Sequence, residues 1–247
     1  LTDFDNPLIV SEGFDPWRIS KRKKLHSYSG NSNIFDIFSE ESFSPYDIFY
    51  IDWYDCGADI RANAEVLKEV IRWVNQNKAS SNKNIVLGQS MGGLIARYAL
   101  RDMELDGESH DTKLFISHDV PYKGANVSPG LMYLYRDLYD MTDNIIGNLY
   151  SSFGGNKDVF NELRYSGSCT SVKQMLPNYV SPTWTYDNSI FNLFQEELAS
   201  MGFPKGDPGY PIENVAIING GNAPSGSPSL FSSGDKLVDI YLKVSSG

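Results

Sequence analysis

The sequence predicts an α/β fold: a mostly parallel central sheet flanked by helices, carrying a largely helical insertion. Two observations predict it. Short apolar runs alternate with stretches whose apolar residues recur every three or four positions, the rhythm of strands joined by helices that pack on a sheet. The 247 residues are also enough for one large domain with a full core.

Taken in order, "NPLIVSEG" at 6–13 reads as a buried strand stopped at Gly13, and "YDIFYIDW" at 46–53 as a second strand rich in aromatics. Ile60, Ala64, Leu67, Val70, Ile71 and Val74 then mark one stripe of a helix. "NIVLG" at 84–88 is a third strand, followed by a helix whose buried face holds Leu94, Ile95, Tyr98 and Ala99. "TKLFISH" at 112–118 is a fourth strand, "NVAIING" at 214–220 a fifth and "KLVDIYLKV" at 236–244 a sixth. Strands separated by helices of this length pair in parallel through right-handed crossovers. Between about 127 and 208 the alternation lapses into Tyr-, Asn-, Ser- and Gly-rich sequence with amphipathic pieces such as "LMYLYRDLYDM" and "SIFNLFQEELASM". This divides the chain into a core, 1–126 with 209–247, and an insertion, 127–208, placed over the edge of the sheet.

Charge narrows the function. Asp and Glu number 31 against 21 Lys and Arg, a net charge of −10, which repels nucleic acid and anionic membrane. The one basic cluster, "KRKK" at 21–24, reads as a solvated loop. No apolar stretch reaches membrane-spanning length. The chain opens on Leu1 without a signal-like segment, so a segment cut from something longer is expected. Cys56 and Cys169 have no metal spacing, and whether they are bridged stays open.

The chemistry centres on "GQSMGG", residues 88–93. Ser90 falls where a strand turns sharply into a helix, at the carboxyl end of a parallel sheet, where ligands bind in such folds. A turn this tight strains the residue at its apex and leaves room only for glycine two positions to either side, hence Gly88 and Gly92. The bend lifts the hydroxyl off the sheet and sets the free N–H groups of a helix start beneath it.

Gly88-Gln89-Ser90-Met91-Gly92, with strand before and helix after, resembles the nucleophile elbow of the α/β-hydrolase lipases and esterases. That family places a second oxyanion-hole donor in the loop after a central strand, often as His-Gly-apolar; Glu12-Gly13-Phe14 stands there in this sequence. The resemblance implies that the backbone N–H groups of Phe14 and Met91 form the hole, with Glu12 in place of the histidine altering the wall of the pocket. Pro121-Tyr122-Lys123-Gly124 is similar to the Pro-His-x-Gly stretch of many bacterial lipases, with Tyr for His. Together these likenesses span most of 6–126 and, more weakly, 212–220.

A serine needs a base, in this family a histidine that follows the acid in the chain. Of three histidines, His26 comes too early and His110 precedes its strand, at the wrong end of the sheet. His118 ends the strand beside the elbow, although the family's base sits on a loop after the last strand; a structural role is the reading preferred here. The catalytic histidine is therefore expected beyond Gly247, the alternative being a relative that keeps the fold as a binding module without turnover. Asp119 is the favoured acid and Asp235 the other candidate, and either also suits a turn. The resemblance implies cleavage of carboxylic esters, small or lipidic, through an acyl-enzyme on Ser90. Thioesterase or peptidase activity stays open, as does whether the insertion is a lid or a fixed cap. No cofactor or metal, no nucleic-acid partner and no stable membrane insertion are expected, and the family's habits suggest a secreted or periplasmic protein.

Overall fold

The computed structural model describes residues 4–16, 46–128, 167–181 and 183–218, together with positions 130, 132, 133, 136 and 137. Its centre is a five-stranded sheet built from β1 (Pro7–Ser11), β2 (Asp47–Ile51), β3 (Asn84–Gln89), β4 (Thr112–His118) and β7 (Glu213–Ile217), in the order β2-β1-β3-β4-β7. All four pairings are parallel, as crossovers through helices require. Strand alternation sorts the side chains. Ile9, Phe49, Ile51, Val86 and Phe115 face the two long helices, while Leu8, Val10, Tyr50, Leu87 and Ile116 form a separate apolar cluster on the other face.

Helix α1 (Ile60–Asn77) starts where Asp59 accepts the Arg61 N–H at 2.9 Å, an N-cap that satisfies one of the helix's open donors. Ile60, Ala64, Leu67, Ile71 and Val74 are fully buried against α2 (Met91–Leu105) and the sheet. The predicted stripe is therefore the buried face, with Val70 only partly covered. Lys68, nearly buried between the helices, reaches Asp102 of α2 at 2.6 Å and Glu65 at 2.7 Å. Its aliphatic stem packs while its ammonium is paired.

Within the predicted insertion lie α3 (Thr170–Met175) and α4 (Ser189–Met201), the latter coinciding with the amphipathic piece "SIFNLFQEELASM". Most of "LMYLYRDLYDM", and the predicted sixth strand at 236–244, fall outside the described residues. Both helices are tied to the core by polar bonds. Gln174 of α3 accepts the Ile60 N–H at 2.9 Å and donates to Asp59 at 2.9 Å, so a side chain 114 residues downstream completes the N-terminus of α1. Glu197 of α4 pairs with Arg61 and accepts from Tyr98 at 2.7 Å. Arg97 of α2 donates to the carbonyls of Leu198 and Gly202 at 2.5 and 3.0 Å, capping the end of α4. Lifting α3 would strand the buried Ile60 N–H, and lifting α4 the buried Arg97 guanidinium. Sequence reading missed the small hairpin of β5 (Gly206–Asp207) and β6 (Tyr210–Pro211), whose two-residue strands are too short to show a period. No helix among the described residues is long and apolar enough to cross a membrane.

Candidate active site

Ser90 sits between β3 and α2 with φ 50° and ψ −123°. A non-glycine residue held at such angles stores strain of about 1–3 kcal/mol, which the surrounding structure must enforce. Here the enforcement is visible. The Ser90 N–H donates to the His118 carbonyl at 2.9 Å, and the Ser90 carbonyl accepts from Gly93 at 3.0 Å. A Cβ on Gly88 would lie 2.4 Å from the Gly93 Cα, and one on Gly92 would lie 2.2 and 2.3 Å from the carbonyl oxygens of Ser11 and Glu12. The first glycine thus lets the elbow fold back on itself, and the second seats α2 against the end of β1. The Ser11 hydroxyl closes that seat by donating to the Gly92 carbonyl at 2.9 Å.

A serine at a helix N-cap ordinarily spends its hydroxyl on a backbone N–H of the first turn. Ser90 makes no such bond and remains partly exposed. Neither the Met91 amide nor the Phe14 amide donates to a described residue. Gly13 lies against the serine: a Cβ there would stand 3.2 Å from Ser90 Cβ and 3.9 Å from its Oγ. The elbow and the Glu12-Gly13-Phe14 loop are therefore neighbours in space, although 77 positions separate Gly13 from Ser90 (90 − 13).

Glu12, where the resemblance has a histidine, is turned into the protein and held there. It is 4% exposed; Tyr50 donates to its Oε1 at 2.6 Å, and the Trp53 indole N–H donates to its backbone carbonyl at 2.9 Å. Burial pushes its carboxyl up to about 7, aided by the negative charges of Asp52 and Asp15 and opposed by the Tyr50 hydrogen bond. Burial and the Glu12 contact in turn raise the Tyr50 phenol far above its ordinary range. Nothing local in the sequence marks this cluster, because it depends on the register that sets Val10 of β1 beside Tyr50 of β2.

The other candidates separate cleanly. Asp119 follows β4, next to the elbow strand; it is exposed, has φ 51°, and its N–H donates to the Ile217 carbonyl at 2.8 Å. His118 pairs with Gln89 across the sheet, and strand alternation puts its side chain on the face of Leu114 and Ile116, away from α2. His110 is fully buried at the opposite end of β4, accepting the Thr112 N–H at 3.1 Å and bonded to Glu104 at 3.1 Å. Tyr122, where the resemblance has a histidine, is bonded to the Ser117 hydroxyl at 2.5 Å and packed edge-on against Phe203. The two cysteines, distant in sequence, come to one place. Ser171 donates to the Cys56 carbonyl at 2.8 Å and lies 3.6 Å from Cys169 Sγ; both thiols are buried and not joined in a disulfide, and burial pushes Cys56 up to about 12. His26, the "KRKK" cluster and Asp235 lie outside the described residues.

No family model and no curated protein matches the sequence. Among solved structures, the chain is similar to a Bacillus licheniformis lipase in its mature form, at 17% identity and a TM-score of 0.37 over 87% of this chain and 84% of that one. The propeptide form of that lipase gives 19% and 0.35 over 73% of this chain, which spans only 34% of the longer protein. Esterase B from Lactobacillus rhamnosis gives 15% and 0.36, over 87% of this chain and 65% of that one. Likenesses this weak lend no support to an activity. What stands on the chain's own strand order and turn geometry is the fold: a parallel α/β sheet with a serine at a strained strand-to-helix elbow.

Proposed function

We propose that this chain is the core of a serine hydrolase that cleaves carboxylic esters through an acyl-enzyme on Ser90. The observation that carries the reading is the unused Ser90 hydroxyl, held at φ 50° on a bend whose neighbouring Met91 and Phe14 amides have no partner among the described residues. Such a hydroxyl suits attack on a carbonyl carbon, and two such amides suit the oxyanion that forms. In the proposed cycle the Ser90 Oγ–carbon bond forms as the serine proton passes to a histidine outside the described residues. The alcohol then leaves with that proton, and water repeats the sequence to release the acid. Asp119, at the end of the neighbouring strand, is the proposed orienting carboxylate. Phe14 packs against both the main core and the apolar cluster of Val172, Leu176, Tyr179 and Val180, which favours an apolar acyl group beside the serine.

The test is hydrolysis of short p-nitrophenyl esters and labelling by a fluorophosphonate probe in the full-length protein. Ser90→Ala is expected to abolish both. Full activity in that variant would move the nucleophile elsewhere, and an unlabelled, inactive wild-type protein would favour a binding module on the same fold. Activity lost in His118→Ala would make His118 the base.

A further inference from the structure

The loop that carries the Phe14 amide turns on Gly13, the residue type with the least conformational restraint, so its direction must be set from outside. The structure supplies that restraint on both flanks. Because the Glu12–Gly13 peptide is planar, fixing the Glu12 carbonyl also fixes the Gly13 N–H. That carbonyl is held at 2.9 Å by the buried indole of Trp53, which lies just beyond β2. The Glu12 side chain, on the opposite face of the sheet from Ser11, is held at 2.6 Å by the Tyr50 hydroxyl. Beyond Gly13, the Phe14 ring packs into two apolar clusters. Only the torsions of Gly13 itself are left free, and the van der Waals seat against Ser90 limits those.

We propose that Trp53 and Tyr50 are positioning residues for the ester hydrolysis: by gripping Glu12 at its carbonyl and at its carboxyl, they aim the Phe14 N–H at the space before Ser90. The inference rests on the proposed role of Ser90 and adds a reason for the glutamate in this loop. The groups acting on the Glu12 carboxyl are the Tyr50 hydroxyl and Asp52 from the β2 side, Asp15 from its own loop, and the Trp53 backbone N–H. Among the described residues, no cation acts on it. With its titration pushed up to about 7, the carboxyl stays neutral in weak acid and brings a negative charge into the loop above neutrality.

The experiment is steady-state hydrolysis of p-nitrophenyl butyrate by the full-length protein, comparing wild type with Trp53→Phe, Tyr50→Phe, Glu12→Gln and Ser90→Ala. Removing an oxyanion donor outright costs about 10²–10³ in rate; a donor left in place but misdirected is expected to cost about ten- to a hundredfold in kcat. Trp53→Phe should show that loss with KM changed less than about threefold, and Tyr50→Phe a smaller loss of the same kind. Wild-type kcat should fall above about pH 7, and Glu12→Gln, which keeps an acceptor for Tyr50 but cannot ionise, should flatten that fall. Wild-type kcat in both aromatic variants, or a raised KM with kcat intact, overturns the proposal while an inactive Ser90→Ala leaves the nucleophile in place. An active Ser90→Ala removes the nucleophile, and the positioning role falls with it. Should Trp53→Phe fail to fold, judged by its thermal melt, Tyr50→Phe and the pH profile of Glu12→Gln decide the matter.

Discussion

At Ser90 strain and chemistry can be told apart by substitution. Glycine accepts φ 50° and ψ −123° without a steric penalty, so Ser90→Gly is expected to stabilise the fold by about 1 kcal/mol after the cost of a looser unfolded chain, while Ser90→Ala is not. Both remove the hydroxyl. A thermal melt in which neither variant, or both equally, gains stability would show that the elbow is not strained as its angles imply. Gly92→Ala acts in the opposite sense: its Cβ would stand 2.2 Å from a backbone oxygen, so β1 and α2 must part, at an expected cost of more than about 2 kcal/mol. The glycine spacing was visible in the sequence because the elbow writes itself locally, within residues 88–93. The contacts of Glu12 were not legible in the sequence because its partners, Tyr50 and Trp53, belong to the next strand and the loop beyond it.

Among the elements, strands and long helices announced themselves through their period; what joins them did not. The fully buried residues of α1 are those whose spacing predicted them, and α4 has the bounds of its amphipathic stretch. By contrast, Gln174 reads as an ordinary polar residue of a short helix, yet it completes the N-terminus of α1 with two bonds. Gln174→Ala is expected to destabilise the fold by about 1–3 kcal/mol, since it leaves the Ile60 N–H buried without a partner. Gln174→Glu keeps one acceptor but sets a second carboxylate beside Asp59, and should recover only part of the loss. Chemical denaturation of the three proteins checks this, and a Gln174→Ala protein as stable as wild type would show that α3 is not a structural part of the core. The identity of the residues was plain; their partners, more than a hundred positions away, were not.

For the molecule as a whole, two sets of carboxyl groups act on stability in opposite directions. Arg72 holds Glu108 below the ordinary carboxylate range, and Arg61 does the same for Glu197. Burial would raise Glu104 and Asp111. It is outweighed by the Gly206 amide, Arg101 and His110 at the first, and by Lys78 and Lys83 at the second. Groups with depressed values stabilise the fold above the unfolded range near pH 4 and lose that contribution as pH falls through their folded values. Glu12 is the reverse: the folded state binds its proton more tightly than the unfolded chain does, so its contribution is complete below 4.5 and is lost as pH rises through about 7. The melting temperature is therefore expected to be highest in weak acid and to decline on both sides, and Glu12→Gln should abolish only the alkaline decline. Melts from pH 3 to 9 test this. A wild-type curve still climbing between pH 6 and 8 would contradict it. This balance could not be read from a net charge of −10, which counts groups without their neighbours.

The seat of Gly92 on the end of β1 has a consequence for anyone who would move this serine to another scaffold. The pentapeptide is only half of a matched joint. The other half is a strand end offering two carbonyls at grazing distance and a small hydroxyl to close them, with Val120 shaping the room beside Gly93. Grafting residues 88–92 alone would carry over the lettering and leave the mould behind; Ser11, Glu12 and Val120 have to travel with them.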